Sequence, residues 1–357
     1  MLRRLFKDFQ GDVLAIPGRL IAFIFFILLL IIPLITQESY FLFTLVLANI
    51  FVIFAVSWDF ISGYTGQVSF GHAFFFGVAA YTAALLYKFL GWQPWATIPL
   101  GAVAATIAGV VMCLPALRLR GPYLSLVTLA MPLILLGIVK AFPEITGGEH
   151  GISGLPELSD TRTADYYITL AVMLVSVFIM WKLVDAKSSF VRTGIILHAI
   201  REDEIAARAT GINTIRYKLM AFIIGGFFAG LAGALYAHFL RIAGPSTLDL
   251  MLSFQAVIWT VFGGIVSIYG AVVGVYFLYP VMEILRQFNV PLWPGAQVMI
   301  SDLRFLIFSA IVIVILLFMP EGIAVWIRDK LERECPRCKL ANASWRNTCR
   351  ACGASLH

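Results

Sequence analysis

Four cysteines crowd one end of this sequence. Cys335 and Cys338 form one C-x-x-C pair, Cys349 and Cys352 form a second, and ten residues separate the pairs. Two such knuckles place four thiolates for a tetrahedral Zn2+, and four sulfurs close the coordination shell, which suits a structural metal rather than a catalytic one. The gap is shorter than the roughly 15–20 residues usual for this pattern. A segment this short has no adequate core and depends on metal to fold. The competing reading is a pair of disulfides, which a reducing compartment disfavours. Cys113 stands alone in an apolar run and reads as an ordinary apolar residue.

The cysteine tail, 329–357, differs sharply from the chain before it, 1–328. From Arg328 on, Arg328, Lys330, Arg333, Arg337, Lys339, Arg346 and Arg350 stand against Asp329, Glu332 and Glu334, a net +4. Such a patch attracts anionic lipid, an acidic protein or nucleic acid. Nucleic acid is not an expected partner of the chain.

A second group of polar residues lies inside apolar surroundings: Asn49, Asp59, Gln67, Ser69, His72, Gln255 and Glu283. Polar groups at membrane depth are costly and mark a pathway or glue between helices. Gln67, Ser69 and His72 fall in the glycine-rich stretch Gly63–Gly71, so they are candidates for lining a translocation pathway. Asp59 is expected to reach water at a helix end, and Glu283 to snorkel toward the outer surface. No chain of intramembrane carboxylates is evident, as a proton-driven carrier would want.

The elements that must position these residues are membrane helices. Of 357 residues, 61% are hydrophobic and 13% charged, with mean hydropathy +0.91. An ordinary soluble domain is roughly 45–50% apolar and about 25% charged. That excludes a disordered chain, a collagen-like one and a typical soluble enzyme. A spanning helix needs about 20 mostly apolar residues. Ten spans can be placed, near 19–36, 39–61, 68–89, 94–116, 122–141, 164–184, 217–239, 252–269, 271–288 and 302–319. The basic start, Arg3, Arg4 and Lys7, precedes an apolar run too long for a signal peptide. The fold class is therefore all-α and polytopic.

Ten spans put both ends on one side. That side carries twenty of the 26 Lys and Arg residues and the other side six, which by the positive-inside rule makes both ends cytoplasmic. Arg118 and Arg120 read as anchors at the inner surface. The glycine-rich stretches Gly63–Gly71 and Phe262–Gly274 are candidates for broken helices, which membranes tolerate only where protein or a cavity covers the backbone. They also share a faint echo, Gly66-x-x-Ser69-x-Gly71 against Gly264-x-x-Ser267-x-x-Gly270, of the kind repeats leave in transporters. The seventh span is crowded with Gly225, Gly226, Ala229, Gly230, Ala232, Gly233 and Ala234. Such a face packs tightly, within one subunit or between two.

The longest inner loop runs over about 185–216 and contains a capped amphipathic helix near 194–211. Thr193 can cap its start and Gly211 its end. Glu204 stands four residues before Arg208, the favourable order for a helical ion pair. Its apolar side is mostly Ala and Ile, including Ala206 and Ala207, with no Trp or Phe to anchor it in lipid. Small side chains of this kind suit a groove on a protein partner, although an interfacial helix remains the simpler alternative.

Several motifs, taken in order, resemble the branched-chain amino acid ABC transporter permeases. They are Gly63-Tyr64-Thr65-Gly66-Gln67-Val68-Ser69-Phe70-Gly71-His72-Ala73, Leu117–Tyr123 with Val127–Ala130, Thr146-Gly147-Gly148, Ala199–Ala207 and Gly263–Gly270. The resemblance covers about residues 40–328. It implies the permease fold shared with ribose-type and vitamin B12-type importers. It also implies a second homologous permease subunit, two cytoplasmic ABC ATPase subunits and an extracytoplasmic substrate-binding protein, in a prokaryotic inner membrane. The segment holding Arg201, Glu202, Asp203, Glu204, Ala206, Ala207 and Gly211 would be the helix that docks on an ATPase. The chain has no G-x-x-x-x-G-K-[ST] phosphate loop, so ATP is expected to be hydrolysed by a partner.

The leading expectation is a permease importing branched-chain or similar amino acids. The same architecture serves a second reading, import of urea, amides or another small polar solute. An ion-coupled secondary transporter is the reading from another class. A membrane enzyme would want an HExxH or GxSxG arrangement, and the sequence has neither. The tail resembles a small zinc ribbon added beyond the family pattern, whose role that resemblance leaves open.

Overall fold

A computed structural model describes residues 17–116, 122–185, 193–287, 303–338, 341–349 and 352–355. Arg118 and Arg120, and the basic start with Arg3, Arg4 and Lys7, lie outside the described residues. The helices are α1 (Pro17–Ile35), α2 (Ser39–Trp58), α3 (His72–Leu90), α4 (Pro94–Ala116), α5 (Pro122–Ala141), the single turn α6 (Pro143–Thr146) and α7 (Arg162–Val184). They continue with α8 (Thr193–Glu202), α9 (Glu204–Ala209), α10 (Thr214–Leu240), α11 (Leu250–Gly263), α12 (Ile268–Gln287), α13 (Arg304–Phe318) and α14 (Ile323–Leu331).

Eight stretches of the described chain are long and apolar enough to cross a membrane, and Leu20–Ile35 and Leu250–Gly263 are shorter apolar helices. Together they occupy the ten predicted positions. The last stretch, Phe305–Leu331, takes in both α13 and α14. The chain is thus an all-α, multi-pass membrane protein.

Helix α2 forms the centre. Its apolar window is 89% buried, against 17% for the last stretch. It is wrapped by α7, α10, α11 and α12. Asn49 ties three of these helices together. Its Nδ2 donates to Thr169 Oγ1 of α7 at 3.3 Å, and its Oδ1 accepts from Tyr276 of α12. That is interhelical glue rather than a pathway residue.

The small-residue face of α10 packs inside this one chain. Gly233 lies on the backbone carbonyl of Phe76, Gly226 on the ring of Phe75, and Gly230 on Ala102 and Ala105 of α4. Glycine permits these approaches because any Cβ would collide with its neighbour.

Local sequence sets the helix ends. Thr161, Asn213 and Asp249 cap α7, α10 and α11 by accepting from Ala164, Arg216 and Met251 N–H groups. Arg241, in left-handed conformation at φ 61°, terminates α10. The chain then forms β2 (Ile242–Ala243), antiparallel to β1 (Ile152–Ser153). The far end of α10 is pinned there by His238. Its Nδ1 donates to the Pro156 carbonyl at 3.0 Å, so its Nε2 accepts from Thr97 Oγ1 at 2.7 Å.

The opposite ends of the bundle meet the tail. The Gly18 N–H at the start of α1 donates to Glu332 Oε1 at 2.9 Å, just after α14. The start of α1 and the end of α14 therefore lie side by side. Beyond α14, β3 (Glu332–Glu334) pairs with β4 (Ala341–Ala343) in register Arg333↔Asn342.

Candidate functional site

Both glycine-rich stretches are broken. At the first, α2 winds into a π-helical turn, Asp59–Gly63, and opens at Gly66, where φ is +72°. Helix α3 consequently starts at His72 rather than near residue 68. At the second, α11 stops at Gly263 and α12 starts at Ile268. The expected span 252–269 is cut short because Gly264 has φ +121° and Val266 has φ +62°, which no right-handed helix accommodates. Positive φ at a β-branched residue is an outlier that persists only when its surroundings enforce it.

Asp59 supplies that enforcement. It is fully buried, and its Oδ1 and Oδ2 accept from the Val266 and Ser267 N–H groups at 2.9 and 3.0 Å. The expectation that Asp59 reaches water is therefore corrected. The carboxylate crosses between the two breaks and caps α12, whose free N–H groups favour an anion. Tyr64 adds a second tie by donating from its hydroxyl to the Val266 carbonyl at 3.1 Å.

Gln67, Ser69 and His72 gather at the first break. The Ser69 N–H donates to Ser62 Oγ at 3.1 Å and its carbonyl accepts from Trp58 Nε1 at 2.7 Å. Its own hydroxyl, the Gln67 Oε1 atom and the His72 Nδ1 atom are buried without hydrogen-bond partners among the described residues. His72 Nε2 lies 3.1 Å from the Phe54 carbonyl and 2.8 Å from Ser57 Oγ. The Phe54 carbonyl can only accept, so Nε2 carries the hydrogen and Nδ1 presents a bare lone pair. The N–H groups at the start of α3 are taken by hydroxyls: Ala73 by Ser253 at 2.9 Å and Phe70 by Thr128 at 3.2 Å. Gln255 is half-buried on α11. Glu283 does not snorkel; it is buried, accepts from the Tyr40 hydroxyl and lies 3.3 Å from Arg286.

The expected loop helix over 194–211 is divided into α8 and α9. Asp203 takes an extended backbone, φ −153°, and its carboxylate accepts from the Ile205 and Ala206 N–H groups at 2.8 and 3.0 Å. An Asp competing so well for N–H groups starts a new helix rather than continuing the old one. Gly211, at φ +88°, closes α9 as expected, and Ala207 is buried against the bundle. Arg201, Glu202, Asp203, Ala206 and Gly211 are exposed, and so is Ile205. Glu204 faces inward. It bonds Arg208 at 2.5 Å, Lys218 at 2.7 Å and the Thr214 hydroxyl at 3.1 Å. Sequence reasoning counted Lys218 only among the inner-loop charges and missed its pairing with Glu204.

The loop rests on the first break. Arg201 packs on Gly66, where any side chain would meet the Arg201 Cγ at 3.2 Å. The His198 ring meets Tyr64 edge-on at 5.6 Å.

In the tail, the sulfurs of Cys335, Cys338, Cys349 and Cys352 all lie within 4.8 Å of one another, so they can hold a metal ion. None forms a disulfide. The Cys335–Cys352 and Cys338–Cys349 pairs are each 3.5 Å apart. A metal–sulfur distance of about 2.3 Å in a tetrahedron gives sulfur–sulfur edges near 3.8 Å. Buried Asn342 points its Nδ2 at Cys349 Sγ, 3.6 Å away. The Cys338 N–H, foremost, lowers the pKa of the Cys335 thiol toward the thiolate that a metal needs.

Comparison with known proteins agrees with this architecture. The chain is 28% identical over 315 residues to the high-affinity branched-chain amino acid transport system permease protein LivM of Escherichia coli strain K12, covering 80% of this chain and 70% of that protein. It is 27% identical over 247 residues to the probable branched-chain amino acid transport permease protein LivH of Methanocaldococcus jannaschii, covering 66% and 76%. It is 26% identical over 209 residues to the autoinducer 2 import system permease protein LsrC of Salmonella paratyphi B, covering 56% of each. The family model for the branched-chain amino acid transport system / permease component matches residues 40–319, and the chain belongs to that family.

Proposed function

We propose that this chain is a membrane-spanning subunit of an ATP-driven importer, moving branched-chain or chemically similar amino acids into the cytoplasm. It would pair with a second homologous permease, receive substrate from an extracytoplasmic binding protein and draw energy from two ABC ATPases docked on α8–α9. The observation that carries this reading is the loop itself. Ile205 is 75% exposed at the tip of a turn that Glu204, Lys218 and Arg208 hold rigid. A stiff element with an apolar tip transmits force to a partner groove better than a slack linker.

The buried carboxylates argue against a proton-driven carrier. Asp59 is taken up by N–H groups, Asp165 by Ser159 and Arg162, and Glu283 by Tyr40 and Arg286. Each has partners of its own, and among the described residues no relay joins them. The charge asymmetry of the loops supports a cytoplasmic location for both ends, for the loop and for the tail. In that compartment the four cysteines would hold structural Zn2+. The ion would fix the β3–β4 hairpin to the turn at Cys349.

The test is leucine uptake and ATP hydrolysis in proteoliposomes holding the chain with its copurified partners. Uptake that requires ATP supports the reading. Uptake without ATP overturns it in favour of a secondary carrier. ATP hydrolysis without leucine uptake keeps the architecture and moves the substrate to urea, an amide or another small polar solute.

A further inference from the structure

We infer that the Val266 turn is a strained latch, and that Asp59 and Tyr64 are positioning residues linking it to the loop α8–α9. This inference rests on the reading of that loop as the ATPase-docking element. Val266 sits at φ +62°, a conformation a β-branched residue does not adopt unaided. Its N–H is held by Asp59 Oδ1 at 2.9 Å and its carbonyl by the Tyr64 hydroxyl at 3.1 Å. Both holding residues come from the end of α2 at the first break, some 200 positions earlier in the chain. The same short stretch carries the loop, through Arg201 on Gly66 and His198 against the Tyr64 ring.

A displacement of α8 therefore meets Tyr64 and Gly66 first. Tyr64 cannot move without loosening the Val266 carbonyl, and Asp59 follows on the π-helical turn Asp59–Gly63. Once released, Val266 can relax to negative φ, which changes the direction in which α12 leaves the turn. The neighbouring Gly264 backs onto the Glu321 carbonyl and the Val325 side chain, so the movement also reaches α14. Strain at a site held by a few named contacts is the arrangement expected of a two-position element.

The test uses the complete transporter in lipid nanodiscs, with Asp59→Asn, Tyr64→Phe and Val266→Gly. Asp59→Asn turns an amide donor toward a backbone donor. The remaining amide oxygen can still accept from one of the two N–H groups, so amide exchange at Val266 or Ser267 should rise about tenfold, as expected when a buried N–H is left facing another donor. If the latch exists, exchange at 198–202 rises with it in both Asp59→Asn and Tyr64→Phe. A rise confined to 266–267, or no rise at all, overturns the inference. Val266→Gly removes the strain, so thermal stability should hold or increase while substrate moved per ATP falls severalfold. Transport that falls only in proportion to folded protein overturns it too. The exchange readout needs no transport, so failure of the importer reading and failure of the latch are distinguishable.

Discussion

The Lys218 ammonium lies 2.7 Å from Glu204 Oε2, and its side chain is only 4% exposed. This ion pair joins the short helix α9 to the first turns of α10 and makes the loop a rigid part of the bundle. Glu204→Gln should leave a buried ammonium facing a neutral amide. With Glu204 itself 29% exposed, the cost is about 1.5–3 kcal/mol, the range for hydrogen bonds to charged groups. Amide exchange across 204–210 should quicken accordingly. Adding Lys218→Met should recover much of the loss, because a neutral apolar pair removes the stranded charge.

Acid should loosen the same loop. Burial alone raises the Glu204 pKa, but the bond and charge of Lys218, with Thr214 and Arg208, hold it below the ordinary glutamate value of 4.5. A carboxylate depressed by folding stabilises the fold above that value and stops doing so as pH falls through its own pKa. Exchange protection of α9, corrected for intrinsic rates, is expected to stay flat from neutral pH to about 5 and fall below 4.5.

Ile205 tests the docking surface without touching the brace. Ile205→Asp changes an exposed side chain, so folded yield and loop protection should match the parent chain. ATP-driven uptake should drop at least tenfold, and copurification of the ATPases should weaken. Normal uptake in this variant would show that partners engage elsewhere.

Packing of α10 makes a paired prediction. Gly233→Ala pushes a methyl group into the Phe76 carbonyl and should cost about 1–3 kcal/mol, seen as lower melting temperature and folded yield. Gly137→Ala on α5 meets nothing within 4 Å and should be neutral or stabilising by about 0.5–1 kcal/mol.

For the tail, Cys349→Ser removes a buried thiol of the four-cysteine cluster. Metal analysis should show about one zinc per chain in the parent and almost none in the variant. Limited proteolysis should then cut after α14 in the variant and spare the parent.

Much of this was legible in the sequence because apolar runs and glycine clusters act locally. The ten helices, both breaks, the Gly211 stop and the cysteine cluster all follow from residues near each other in the chain. What was missed depends on partners far apart. Asp59 looked like a helix-end carboxylate, since nothing near it announces that the Val266 and Ser267 N–H groups arrive from 207 and 208 residues away. Glu283 was expected to snorkel for the same reason, its partner Tyr40 being 243 positions distant. Asp203 was visible, but its local competition for N–H groups was outweighed by a helical pattern that ran past it.

The bond between the Gly18 N–H and Glu332 has a consequence for biogenesis. Gly18 is synthesised 314 residues before its partner. Helix α1 is by then already tied to α7, whose Tyr166 and Tyr167 hydroxyls donate to the Leu29 and Leu30 carbonyls at 2.7 and 3.2 Å, so only its first turn waits for residue 332. Only then can the beginning of the chain be fastened beside α14. A product that stops short of residue 332 would lack this one fastening at the first turn of α1 while keeping those to α7.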